Sequence, residues 1–237
     1  MGSMSIINIA VLFQIFCVLS QARDVQWNSV NPYSENSPKL EADNKIAIFT
    51  ALEKIPKDDK RFITFSEAMK LMIYRNSKNL IELGTEWGEE KCTYDGCSTS
   101  IFGLFAYATE KFLISVDNDQ NAVYKAKEAT KWIEDNVSVI KSDSVEFLKN
   151  YDKPIDFLYI DSMDYDEKIL DHIQHYHLEE IKAAYRKLHK YSIVLLDEGN
   201  MDHGGSNKLV YEYLENLGWE RVVNKWQYLY VHKDSLL

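Results

Sequence analysis

Five short apolar segments in this sequence each end in acidic residues or glycine. In a sheet of parallel strands, such segment ends meet along one edge, where ligands bind. A carboxylate at that edge can accept hydrogen bonds from ribose hydroxyls or coordinate a cation, and a glycine lets a ligand approach the backbone. A single such residue could be an ordinary turn residue, but five successive segment ends favour a nucleoside-type site. The residues are, in order, Glu82 with Gly84, Asp117, Asp143, Asp161, and Asp197 with Glu198.

The loop after the first segment narrows the type of nucleoside. A dinucleotide would require G-x-G-x-x-G directly after the first strand, and Gly84-Thr85-Glu86 breaks that pattern. Residues 85–95 carry four acidic side chains, which disfavours a pyrophosphate and tolerates a cation. Gly96 and Ser98 then lead into a predicted helix, whose first N–H groups are available to a ligand.

The elements that must position these residues follow from the alternation of short apolar segments with longer amphipathic ones. The apolar segments lack polar alternation, as buried parallel strands do. Strand–helix alternation predicts an α/β fold with a doubly wound, mostly parallel sheet. Two further strands, 219–223 and 227–231, are separated by so few residues that they must be antiparallel. The prediction is therefore a seven-stranded sheet that ends in a C-terminal antiparallel hairpin, with parallel strands at 80–83, 112–116, 137–140, 157–160 and 193–196.

The beginning of the chain differs from the rest. Ile6–Leu19 carries no charge; it is shorter than the roughly 20 residues of a membrane span and suits the apolar region of a signal peptide. No Lys or Arg precedes it, so a hydrophobic packing element is the alternative. We expect a signal-like or packing segment at 1–22, a lead-in with a short helix at 23–61 and the main domain at 62–237. If residues 1–22 are a signal peptide, we expect an exported protein, and otherwise a cytoplasmic one. We expect contact with a membrane only if this segment is an uncleaved anchor.

Composition excludes several classes of protein. The chain of 237 residues is 46% hydrophobic and 27% charged, which is ordinary for a globular domain and excludes collagen, a coiled coil and wholesale disorder. Its net charge of −10 makes a nucleic-acid partner held by a basic face unexpected. Three cysteines do not make a disulfide scaffold. Cys92 and Cys97 could pair in an exported domain or stay free in a reducing compartment.

Several of these segments resemble motifs of the class I S-adenosylmethionine-dependent methyltransferases, which have a Rossmann-like fold. Residues 80–84 followed by 96–99 (LIELG, then GCST) resemble the first motif of that family. Residues 114–117 (ISVD) resemble its ribose-binding strand, and 155–161 (IDFLYID) resemble its fourth strand. The terminal hairpin is also typical of that fold. The resemblance covers residues 62–233. Within the family, the sequence most resembles the metal-dependent small-molecule O-methyltransferases of the catechol, macrocin and cephalosporin-biosynthesis type.

The resemblance implies S-adenosylmethionine as cofactor and Mg²⁺ as a metal ion. It implies that the metal ligands are Asp161, Asp197 and Glu198. His203 and Asp161 are the catalytic candidates, with His203 as proton acceptor. Together with the strand-end pattern, the resemblance predicts as cofactor-binding residues Glu82, Gly84, Gly96, Ser98, Asp117, Asp143 and Asp161.

The expected partner is a small-molecule acceptor, and a homo-oligomer is left open. Sugar hydroxyl, catechol-like phenol and carboxylate acceptors all remain open. Residues 85–95 depart from the family pattern, because the relatives have a shorter loop there. The alternative is a non-catalytic nucleoside-binding or interaction protein that keeps the fold without the chemistry.

Overall fold

The computed structural model describes residues 47–48, 50–53, 55–86 and 97–236. The predicted segment 1–22, most of the lead-in, Gly96 and Cys92 lie outside the described residues. Within the described part of the chain, no helix has the length and apolar character needed to cross a membrane.

The described residues contain seven strands, namely β1 (Asn79–Leu83), β2 (Phe112–Asp117), β3 (Val137–Lys141), β4 (Ile155–Ile160), β5 (Leu188–Leu196), β6 (Trp219–Asn224) and β7 (Tyr228–His232). They form one sheet in the order β3-β2-β1-β4-β5-β7-β6. The pairs among β1 to β5 are parallel, whereas β7 runs antiparallel to both β5 and β6. The predicted doubly wound, mostly parallel sheet with an antiparallel hairpin is confirmed.

The helices that alternate with these strands cover both faces of the sheet. They are α1 (Phe62–Tyr74), α2 (Ser98–Ala108), α3 (Gln120–Thr130), α4 (Ser144–Asn150), α5 (Leu170–Tyr185) and α6 (Lys208–Asn216). Residues of α1, α2 and α3 belong to the core on one face, and residues of α4, α5 and α6 belong to the core on the other. Because successive side chains of a strand point to opposite faces, Leu80 enters the first core and Ile81 the second.

An aromatic cluster in the first core holds one residue that reaches the carboxyl edge of the sheet. The ring of Tyr159 in β4 lies 5.7 Å from that of Phe102 and 6.0 Å from that of Phe65. All three side chains are at most 1% exposed. Edge-to-face contacts of this kind fix the ring orientation, so the Tyr159 hydroxyl is held at a defined place.

One strand and the first core extend beyond the boundaries that the sequence predicts. β5 begins at Leu188 rather than at residue 193, and its first part is polar and exposed at Lys190 and Tyr191. At the other end of the domain, residues of the predicted lead-in join the first core, namely Ile48, Ala51, Leu52 and Ile55.

Candidate functional site

The carboxyl ends of the central strands lie side by side. The register pairs Leu83 of β1 with Val116 of β2 and with Ile160 of β4. The hydrogen-bond ladder continues past the strands, because the Gly84 N–H donates to Val116 (2.8 Å) and the Asp161 N–H donates to Leu83 (2.9 Å). The Asp197 N–H likewise donates to Ile160 at 3.2 Å. The structure thus brings Gly84, Asp117, Asp161 and Asp197 to one edge.

Gly84 permits the close approach of the loops that follow β1 and β4. Its φ is +88°, and a Cβ built on it would overlap the Asp161 carbonyl oxygen and lie 2.6 Å from the carbonyl carbon. Only glycine combines this backbone conformation with this contact.

The carboxylate of Asp117 connects the loops after β1 and β2. Its Oδ2 accepts hydrogen bonds from the Thr85 N–H (2.9 Å) and the Thr85 hydroxyl (3.2 Å), and its Oδ1 accepts one from the Asp119 N–H (2.7 Å). A carboxylate has about four acceptor positions, and Asp117 is partly exposed. Its remaining acceptor capacity fits a ligand hydroxyl.

Glu82 lies beneath the beginning of α2. Its Oε2 accepts hydrogen bonds from the hydroxyls of Thr99 (2.7 Å) and Ser115, and the Ser98 hydroxyl also stabilises its charged form. Burial nevertheless raises the pKa of Glu82 to about 7. Oε1 is buried and has no hydrogen-bond partner among the described residues. The Glu82 side chain is fully buried and is surrounded by other protein groups.

Asp143 begins α4 and is tied to α5. Its Oδ1 accepts from the Glu146 N–H (2.8 Å), and its Oδ2 accepts from the Tyr176 hydroxyl (2.8 Å). Ser144 donates to Glu180 and lies 3.0 Å from the Tyr176 hydroxyl. Neither Tyr176 nor Glu180 is among the site residues predicted from the sequence, because both lie within α5 and not at the end of a strand.

The buried Glu180 makes stability depend on pH. Burial, together with the charge of Asp143, raises its pKa to about 7 from the ordinary 4.5, against hydrogen bonds from serine hydroxyls that lower it. A folded-state pKa above the unfolded one means that the folded state keeps a proton the unfolded state loses. Its contribution to stability is therefore fully present below pH 4.5 and declines as the pH rises to about 7, by about 3 kcal/mol in total.

Glu180→Gln removes this dependence, because glutamine stays neutral. We expect the variant to gain stability over the wild type at pH 8 by more than at pH 5, as measured by urea unfolding at both values. Glu179→Gln, an exposed neighbour paired with Lys182, serves as the control and should show little change at either pH. If the free energies of unfolding of Glu180→Gln and wild type differed by the same amount at pH 5 and pH 8, the raised pKa of Glu180 would be contradicted.

Asp161 and Asp197 face the same hydroxyl. The Tyr159 OH lies 2.9 Å from Asp161 Oδ2 and 3.1 Å from Asp197 Oδ1. Gln227 from the hairpin donates its amide N–H groups to Asp197 (2.6 Å) and to the Tyr159 oxygen (3.0 Å). Burial and the neighbouring Asp197 raise the pKa of Asp161 well above its usual range. One tyrosine proton cannot satisfy two carboxylates, so the pair favours a proton or a cation.

Glu198 is turned toward the surrounding loops. Its φ is +50°, and its Oε2 accepts hydrogen bonds from the Tyr165 N–H (2.7 Å) and the Ser206 hydroxyl (2.6 Å). Among the described residues, no group of three or more His, Cys, Asp or Glu side chains is arranged to hold a metal ion. Of the three predicted metal ligands, Asp161 and Asp197 lie together at the Tyr159 hydroxyl, whereas Glu198 binds Tyr165 and Ser206. The three carboxylates therefore fit a divalent cation only in part.

The described contacts of His203 are with neither of the two aspartates. It occupies the turn Asp202–Gly204 with a φ of +56°, its side chain is 66% exposed, and its Nε2 is 3.6 Å from Glu167. The described contacts of His203 include no hydrogen bond or ion pair with Asp161. The structure does not bring the two catalytic candidates into contact.

Cys97 immediately precedes α2 and is disulfide-bonded. The predicted pairing with Cys92 falls partly outside the described residues.

Comparison with known proteins identifies the fold. Neither protein-family models nor curated protein sequences gave a match. Among solved structures, MycE, a methyltransferase of the mycinamycin biosynthetic pathway in complex with Mg and SAH, is similar with a TM-score of 0.53 and 15% identity. The match covers 80% of this chain and 54% of the MycE chain. A second MycE structure, which also contains mycinamycin VI, has a TM-score of 0.52 at 14% identity, with the same shares of the two chains covered.

A putative rRNA methylase from Clostridium thermocellum is also similar, with a TM-score of 0.48 and 12% identity, over 69% of this chain and 94% of that one. This chain spans about half the length of MycE. At these identities the likeness to the two MycE structures shows the fold alone, which is the α/β fold of a methyltransferase.

Proposed function

We propose that this protein is an S-adenosylmethionine-dependent methyltransferase. The observation that carries the proposal is the alignment of Gly84, Asp117, Asp161 and Asp197 at the carboxyl edge of a methyltransferase-type sheet, next to the beginning of α2. In doubly wound folds this edge is where ligands bind. The MycE structures that share the fold hold SAH, which supports the same class of cofactor here.

The residues at this edge divide into a cofactor side and an acceptor side. On the cofactor side, Asp117 receives the ribose hydroxyls, while Gly84 lets the loops after β1 and β4 lie close together beside the ligand. Ser98 and Glu82 line the beginning of α2. Asp143 supports the neighbouring loop by capping α4. Gly96 remains a predicted contact outside the described residues.

On the acceptor side, we propose that the pair Asp161 and Asp197 receives a small-molecule hydroxyl. Methyl transfer is an in-line displacement, in which donor and acceptor must be held about 3–3.5 Å apart. Tyr159 and Gln227 fix the two carboxylates in position. Asp161 lies between the ribose acid and Asp197, and we propose that it orients the acceptor hydroxyl. His203 stays the proposed proton acceptor, although its described contacts do not include Asp161.

We also propose that a divalent cation such as Mg²⁺ assists the reaction, held by Asp161 and Asp197, with Glu198 as the third candidate ligand. The facing carboxylates support this, because a cation would relieve their repulsion. Oxygen ligands are those that Mg²⁺ prefers. When bound, the cation would lower the pKa of the acceptor hydroxyl.

A small-molecule acceptor is proposed over a nucleic acid because the net charge of −10 repels phosphate backbones. A non-catalytic nucleoside-binding role is the alternative, favoured by the exposed position of His203.

Transfer of a labelled methyl group tests the proposed function. The protein is incubated with methyl-labelled S-adenosylmethionine and a panel of sugars, catechols, carboxylic acids and RNA, in Mg²⁺ or in EDTA. We expect label on a small molecule in Mg²⁺ and a loss of transfer in EDTA. Equal transfer in EDTA would contradict metal assistance, label on RNA alone would contradict the acceptor class, and cofactor binding without transfer to any compound would favour the non-catalytic alternative.

A further inference from the structure

A row of four hydrogen-bonding side chains links helix α5 to the loop that follows β3. The Tyr176 hydroxyl lies 2.8 Å from Asp143 Oδ2 and 3.0 Å from the Ser144 hydroxyl. The Ser144 hydroxyl is also hydrogen-bonded to Glu180 Oε1. Ser144 and Glu180 are buried, whereas Tyr176 and Asp143 are partly exposed. The row therefore runs from the protein interior to the surface of the domain.

The outer end of this row lies beside the proposed ribose-binding group. The Ser142 N–H, one residue before Asp143, donates to the Asp117 carbonyl at 3.0 Å. Asp143 also lines an open cavity of about 650 Å³, so a ligand can reach it. Its Oδ1 is held by the Glu146 N–H and its Oδ2 by the Tyr176 hydroxyl. The position of this carboxylate thus depends on Tyr176.

The row has three contacts but only two hydroxyl protons when Glu180 is ionised. Ser144 then donates to the carboxylate of Glu180, and Tyr176 donates to Asp143. No proton remains for the contact of 3.0 Å between the Ser144 and Tyr176 oxygens, because each hydroxyl has one proton to donate. A proton on Glu180 removes this conflict. Glu180 can then donate to Ser144, which donates to Tyr176, and all three contacts carry a proton.

The surroundings of Glu180 favour this proton. Its side chain is fully buried, and its Oε2 has no hydrogen-bond partner among the described residues. Burial without partners costs an ionised carboxylate far more than a neutral acid. Burial, together with the charge of Asp143, raises the pKa of Glu180 to about 7, so the proton is lost near neutral pH.

The other groups around Glu180 keep their charge over the same range of pH. Asp143, from the loop after β3, supplies the charge that acts on it, and the groups from α4 and from the loop after β4 are serine hydroxyls. Among the described residues, α6 adds no charge to this set. On α5 itself, burial raises the pKa of Tyr176 to about 12 and lowers that of His177 to about 4. Both side chains therefore stay neutral between pH 5 and pH 8.

We propose that Glu180 is a positioning residue for the proposed cofactor site. Its proton completes the row and holds Asp143, with its loop, in the position that the cofactor needs. When this proton is lost to solvent, the row breaks between Ser144 and Tyr176, and the affinity for the cofactor falls. This inference rests on the proposed function, because it concerns the regulation of the same site.

Two substitutions and one control separate this role from a merely structural one. Glu180→Gln imitates the protonated state, because a glutamine amide stays neutral and can donate a hydrogen bond. Tyr176→Phe keeps the ring and removes the contact with Asp143. The matched control is Glu179→Gln, which makes the same change on the exposed surface of α5.

The experiment is calorimetric titration of the full chain and the three variants with S-adenosylhomocysteine at pH 5 and pH 8. We expect the wild type and Glu179→Gln to bind about three- to tenfold more weakly at pH 8, which is the effect of one hydrogen bond. Glu180→Gln should bind equally at both pH values, with the affinity of the wild type at pH 5. Tyr176→Phe should also bind equally at both, with the lower affinity of the wild type at pH 8. Thermal melting checks that each variant is folded.

Equal wild-type affinity at pH 5 and pH 8 would overturn the inference and leave the proposed function intact, as would a decline that persists in folded Glu180→Gln. If Glu180→Gln does not fold, Tyr176→Phe decides. A decline like that of the wild type in this variant would overturn the inference, and its absence would support it. If the wild type bound no S-adenosylhomocysteine at either pH, the proposed function would fail and this inference with it.

Discussion

Replacing Gly84 with alanine is expected to lower the free energy of unfolding by at least about 3 kcal/mol and to abolish cofactor binding. The left-handed backbone at this position costs a non-glycine residue about 1–2 kcal/mol. The new methyl group would also overlap the carbonyl of Asp161, which is backbone and cannot rotate away. The loops after β1 and β4 would have to separate, and they carry the proposed cofactor and acceptor groups. Urea unfolding and titration with S-adenosylhomocysteine measure the two effects.

Gly103→Ala is the control for this substitution. Gly103 lies inside α2, and an added Cβ there would meet side chains of Val137 and Ile133 at 2.9 and 3.1 Å. Side chains can shift, and alanine favours the helix by about 1 kcal/mol over glycine, so the loss should be smaller than at Gly84. A Gly84→Ala protein that unfolds and binds like the wild type would contradict the described arrangement of these strand ends.

Replacing Asp117 with alanine is expected to weaken S-adenosylhomocysteine binding at least about 100-fold. Hydrogen bonds from ribose hydroxyls to a carboxylate contribute about 1.5–3 kcal/mol each, and two of them account for a loss of this size. The substitution also releases Thr85, which Asp117 holds through the N–H and the hydroxyl. Calorimetric titration measures the affinity, and thermal melting reports whether the fold is intact.

Thr85→Val separates the two contributions of Asp117. It removes the hydroxyl contact at 3.2 Å and keeps the N–H contact at 2.9 Å, so binding should weaken by about threefold or less. If Thr85→Val weakened binding as much as Asp117→Ala, Asp117 would act by positioning the loop and not by receiving the ribose.

The central strands of the sheet could be predicted because they are buried on both faces. Leu80–Leu83 and Phe157–Ile160 are uninterrupted by exposed polar positions, and both were assigned as strands. The first part of β5 was missed because Lys190 and Tyr191 are exposed. Its pairing with β4 also shifts register between Ile155 and Phe157, and such an irregularity leaves no periodic signal.

The alignment of the acidic strand ends could also be predicted, since parallel strands place their carboxyl ends at one edge. The direction of individual side chains could not. Glu198 follows Asp197 directly, but its left-handed backbone and its bonds to Tyr165 and Ser206 turn it toward the loops. These bonds depend on loop conformations that spacing does not encode.

Two polar groups of the acceptor side were missed for a related reason. Tyr159 belongs to an apolar strand, and its ring is indeed buried in the core. Its hydroxyl reaches the carboxylates because the ring stands edge-on to Phe65 and Phe102. Gln227 arrives from the hairpin, 66 positions along the chain from Asp161, so only the tertiary fold brings it to the site.

Calorimetric titration of the wild-type chain with S-adenosylhomocysteine tests the central claim most directly. The account predicts saturable binding at one site with a dissociation constant of about 1–100 μM, displaced by S-adenosylmethionine and lost in Asp117→Ala. A folded protein that gives no binding heat and no competition at millimolar ligand would contradict it.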